Sequence, residues 1–167
     1  MTSDTALRVV GLVAEHDGRE RAVGNIRLTN TSDSEEAVIS RITVRDPQNA
    51  KVGLTRMLRL ESPESEVAGT GYPVPPRPED DMYERTGRLW DRTIEAIGAS
   101  IAPGERVNLV VGLAQPDPAL CSLTSGIDIV YELGGEEYVT TWHTHYVIEP
   151  TSEAGCARTD GDPETSS

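Results

Sequence analysis

Apolar residues recur at every second position in one short run after another, and this alternation constrains the chain more than any motif in it. Side chains that alternate between two faces belong to strands half buried on a sheet. The clearest run is Arg106 to Leu113, with Val107, Leu109, Val111 and Leu113 on one parity. Val38 to Arg45 repeats the pattern with Ile42 and Val44, and Val52 to Leu60 offers a weaker version. Two further pairs of runs carry hairpin signals. Ala6 to Ala14 and Ala22 to Asn30 flank Asp17-Gly18, and Gly126 to Leu133 and Glu137 to Ile148 flank Gly134-Gly135. A two-residue Asp-Gly or Gly-Gly loop predicts a tight turn. It sets Leu7 opposite Leu28 and Val9 opposite Ile26 in the first hairpin. In the second it sets Ile127 opposite Trp142, Ile129 opposite Thr140 and Tyr131 opposite Tyr138, with Trp142 an anchor of the core.

Residues 62–87 break the rhythm. Pro63, Pro73, Pro75, Pro76 and Pro78, with the acidic run Glu79-Asp80-Asp81, leave no room for a regular element there. A loop this long in a compact domain is functional or mobile. Beyond it, Trp90, Ile94 and Ile97 suit a helical face, while Ile97, Ala99 and Ile101 suit a strand. A short helix from Tyr83 passing into a fifth strand accommodates both. After Pro150 the chain is mostly Ser, Thr, Glu, Asp and Gly without an aliphatic pattern, too polar to offset its ordering entropy.

Eight short runs joined mostly by turns predict an all-β, antiparallel sandwich spanning residues 1–150, followed by a disordered acidic tail over 151–167. Leu28-Thr29-Asn30, Ile42-Thr43-Val44 and Ile101-Ala102-Pro103-Gly104-Glu105 leading into Val107 to Leu113 resemble the rhythm of immunoglobulin-like and fibronectin-type sandwiches of about seven or eight strands. The resemblance implies an architecture and no activity, since such folds host many functions.

A formal net charge of −13 repels phosphate backbones and anionic lipid, so nucleic acid is an unexpected partner. No run approaches the length of a membrane span, and no basic, apolar leader opens the chain, so a soluble cytoplasmic protein is expected, or an extracytoplasmic domain if an export segment has been removed. Only Lys51 among 15 basic residues is a lysine, a bias that suggests a GC-rich bacterial genome. Cys121 and Cys156 would staple the tail in an oxidising compartment; without an export signal, two free thiols are the expectation.

Few residues here carry chemistry. His143 and His145 sit two apart on the last run and share a face with Asp128, opposite Thr141, within about 7–8 Å by strand geometry. Two imidazoles and a carboxylate are ligands for a divalent transition metal, although a polar outer face without cofactor is the plainer expectation. In the long loop and helix, Tyr72, Met82, Tyr83 and Trp90 offer amphipathic contacts to a partner, among prolines that lower the ordering cost of binding. Gly-x-Ser-x-Gly, phosphate-binding loops, paired C-x-x-C and His-Glu-x-x-His are all missing, which leans away from an enzyme. The expected function is therefore a non-catalytic interaction or structural module that binds a protein through its long loop or a sheet edge. The alternative is a small-molecule or metal-binding protein using Asp128, His143 and His145.

Overall fold

The computed structural model describes residues 8–13, 18–150 and 156. Along the chain run β1 (Arg8–Val13), β2 (Glu20–Thr29), β3 (Ala37–Arg45), β4 (Lys51–Leu60), β5 (Pro73–Val74), α1 (Tyr83–Trp90), β6 (Ile94–Glu95), β7 (Ser100–Ile101), β8 (Arg106–Ala114), β9 (Ser122–Thr124), β10 (Gly126–Leu133), β11 (Glu136–Trp142) and β12 (Thr144–Glu149). The fold is all-β and sandwich-like. One sheet has the order β5-β2-β8-β4-β6; opposite it lie β11-β10-β3-β7 and a three-stranded sheet β1-β12-β9. The alternating parities meet between them. Val23, Ile26, Leu28, Val107, Leu109, Val111 and Leu113 pack against Ile39, Ile42, Ile127, Ile129 and Tyr146, and Trp142 lies against this core as a half-buried neighbour. The core is aliphatic because the chain has no phenylalanine.

The hairpin predicted at Gly134-Gly135 forms in the expected register, with Ile127 beside Trp142, Ile129 beside Thr140 and Tyr131 beside Tyr138. Both glycines have positive φ, as the turn requires. The run Glu137 to Ile148 is not one strand, however. It breaks at His143, where the chain leaves β10 as partner and takes up β9 and β1. Inward parity survives the break: Thr144, Tyr146 and Ile148 are buried while His145 and Glu149 are exposed.

The first predicted hairpin does not form. β1 runs parallel to β12, Arg8 beside Thr144 and Val13 beside Glu149, while β2 pairs with β8 and, at its start, with β5. Gly18 does adopt the left-handed conformation of a turn residue; Asp17 lies outside the described residues. The seat on β12 buries Leu12 in the same core that a hairpin would have reached. The tail over 151–167 also lies outside the described residues, apart from Cys156. That cysteine forms a disulfide with Cys121, contrary to the expectation of free thiols.

Residues 62–87 are the largest departure from the sequence reading. They hold β5 and the first turn of α1, and they lie across the outer face of β2 and β8. Ala68, Tyr72 and Val74 form a second core with Ala22 and Val110, flanked by Leu54 and Trp90. β8 is consequently buried on both faces from Val107 to Leu113. The predicted helical face is also corrected. α1 ends at Trp90 and buries Thr86, Gly87 and Leu89, leaving Ile94 and Ile97 exposed.

Candidate functional site

The overlying segment is fastened to the sheet through a fault in the ladder. β2 shifts register against β8 between Val23 and Ile26, which frees backbone carbonyls from their strand partners. Asn108, fully buried, fills the gap: its Nδ2 donates to the carbonyls of Gly24 at 2.8 Å and Ile26 at 3.0 Å. Its Oδ1 accepts the N–H of Ala68 at 2.9 Å, tying the segment down at the same point. Gly24 permits this approach, since a β-carbon there would overlap the carbonyl oxygens of Ala68 and Gly69. β4 has its own register shift between Val52 and Thr55, where Glu20 accepts the N–H of Leu54 at 2.8 Å.

Further along, the Arg19 guanidinium grips Asp80 with two hydrogen bonds of 3.0 and 2.7 Å, and Asp80 also accepts the N–H of Arg77 at 2.7 Å. The bond from Arg19 is the main reason the Asp80 carboxyl is held below its usual range. Fastened at Asn108 and Asp80, the segment stands beside β1 and encloses a cleft of about 530 Å³, within the range of ligand pockets. Its walls are Val10, Gly11 and Leu12 on one side and Tyr72, Pro73 and Met82 on the other. Gly71 and Leu12, one from each side, lie close together: a methyl group placed on Gly71 would come within 3.7 Å of Leu12. Asp80, Glu79 and Asp81 line the same cleft, and the last two are exposed with no ion pair among the described residues. β1 and β5 are both terminal strands of their sheets, so the cleft lies between two sheet edges that have no further strand partner among the described residues.

Of the residues expected to meet a partner, two belong to this cleft. Met82 is 50% exposed on its rim. Tyr72 is buried in its wall, and that burial pushes its hydroxyl up to about 12, with the Arg85 charge pulling the other way. Tyr83 instead packs its ring over Gly87 one turn along the helix. Trp90 closes the second core beneath Arg56, whose guanidinium lies 5.5 Å from the ring centre and is fixed by Thr93.

Asp128, His143 and His145 are placed differently. Asp128 does sit opposite Thr141, which donates to it at 2.6 Å, and Arg45 approaches its other oxygen at 3.7 Å. His143 lies in the break between β11 and β12, and both imidazoles are exposed. No group of three His, Cys, Asp or Glu able to hold a metal ion occurs among the described residues. No helix of the described residues is long and apolar enough to cross a membrane. No protein-family model matches the chain, and no curated protein matches it significantly.

Sequence reasoning missed the two fasteners. Asn108 occupies an outward position of an alternating strand and Arg19 the end of a turn, so neither departs from the local pattern. Only the length of the loop hinted that something must hold it.

Proposed function

We propose that this chain is a non-catalytic interaction module, an immunoglobulin-like sandwich that engages a protein partner at the cleft between β1 and the overlying segment. The observation that carries the reading is a cleft between two sheet edges left open among the described residues, lined by Val10, Leu12, Tyr72, Pro73 and Met82 together with three carboxylates. Edges of this kind are either blunted or used. The strand orders β2-β8-β4 and β3-β10-β11 match the B-E-D and C-F-G orders of constant-type immunoglobulin sandwiches, which supports the resemblance. The Cys121–Cys156 disulfide favours an oxidising compartment over the cytoplasm.

Selection of a displayed random peptide library on the whole chain tests the cleft. Enriched peptides are expected to lose binding to Met82→Arg and to keep it to Val139→Arg, a change at an exposed position on β11 that does not line the cleft. Peptides that tolerate Met82→Arg, or a library that yields no binder, would overturn the cleft as the partner site.

A further inference from the structure

We propose that the cleft accepts an extended, cationic peptide segment as an added strand on β1, with basic residues at every second position reaching Glu79 and Asp81. The proposal rests on the interaction-module reading above and specifies the chemistry of the partner.

The backbone argument comes first. β1 has β12 on one side only, so alternate residues along it turn their N–H and C=O groups away from β12, towards the cleft. Proteins protect such edges with proline, a bulge or inward-pointing charge. Over Arg-Val-Val-Gly-Leu-Val, β1 has no proline, and its single charge stands at the first residue. Gly11, exposed at mid-strand with nothing within 4 Å of a built β-carbon, lets another backbone approach closely. An incoming strand therefore finds a main-chain template of the kind used in strand addition.

Side chains then select the occupant. A strand turns successive residues to opposite sides, so one set of an added strand meets the apolar wall of Val10, Leu12, Pro73 and Met82 while the other reaches the rim. Two rim carboxylates, Glu79 and Asp81, have no ion pair among the described residues, whereas Asp80 between them is already committed to Arg19. Lysine or arginine suits that rim: its stem can lie along the Met82 side chain while its head meets carboxylate. The net charge of −13 steers cations towards the molecule and opposes pairing with a second copy of itself. A short acidic or neutral segment gains nothing from the rim.

A blocked peptide of six residues, the length of β1, alternating valine with lysine, tests this by calorimetry on the whole chain. It should bind with an affinity that falls as salt rises. The doubly substituted Glu79→Gln, Asp81→Asn chain should bind it about tenfold less tightly. N-methylation of alternate amides in the peptide should weaken binding on the order of tenfold or more, because it removes ladder donors and leaves the charge. Equal affinity for a glutamate-for-lysine peptide would overturn the cationic specificity. Equal affinity for the N-methylated peptide, or full displacement by spermidine, would overturn strand addition in favour of simple cation binding. If the valine–lysine peptide fails while library peptides sensitive to Met82→Arg exist, the partner chemistry is wrong and the interaction module stands. If both fail, the module reading falls as well.

Discussion

At Asn108 one side chain satisfies carbonyls on β2 and an amide of the overlying segment, so its loss exposes polar groups on both. Asn108→Ala should destabilise the protein by on the order of 3 kcal/mol, because several buried partners are left unmade at once. Chemical denaturation measures the cost, and hydrogen exchange at the Ala68 amide should show the segment opening before the sandwich. Gly24→Ala tests the same junction by bulk. Its methyl would collide with backbone oxygens that have no rotamer to escape into, so a loss of several kcal/mol is expected. Gly11→Ala, with open space around it, should change stability by well under 1 kcal/mol. From sequence, Asn108 is one more polar residue on the outer side of a strand and Gly24 one more small residue in an alternating run. Both roles depend on a second layer that no local pattern announces.

The segment between β4 and α1 behaves as an element in its own right, and two of its residues respond to opposite extremes of pH. Arg19 holds the Asp80 carboxyl below its usual range. The native state thus favours the carboxylate; the stabilisation is complete above the ordinary carboxylate range and is lost as pH falls through the depressed value. Hydrogen exchange at the Arg77 amide should quicken at that acid limit, and Asp80→Asn should remove the pH dependence. Tyr72 works in the other direction. Burial raises its hydroxyl to about 12, so its contribution is whole below the ordinary value of 10.0 and disappears between 10.0 and about 12. Ultraviolet difference titration of the protein against Tyr72→Phe should show this late-ionising group. The hairpins mark how far elements were legible beforehand. Gly134-Gly135 and Asp17-Gly18 are equally good turn signals, yet only the first joins two paired strands. A turn signal reports local backbone freedom, whereas the choice of partner for β1 rests on where Leu12 can be buried, and β12 serves that need as well as β2. The same limit explains Tyr72 and Met82. Their amphipathic character was visible, but the cleft that unites them requires β1 to sit on β12.

At the scale of the molecule, the Cys121–Cys156 bond joins the loop before β9 to the chain beyond β12, across 35 residues. Closing a loop of that length is worth about 3–4 kcal/mol in the chain-entropy account. Cys156→Ser, or reduction, should lower stability by that order in thermal or denaturant unfolding. Truncation after Pro150 should do the same, since it removes one sulfur; a tail that is dispensable by composition is coupled to the fold by one residue. The bond also fixes how tension would travel through the protein. When force is applied to the two ends of the chain, load arriving beyond Cys156 crosses to Cys121 through sulfur, and the intervening strands β9 to β12 form a slack loop off the path. At about 3.3–3.6 Å per extended residue, the oxidised chain lengthens by roughly 120 Å less than the reduced one. In a force-spectroscopy trace that missing length would appear as soon as a reductant is added.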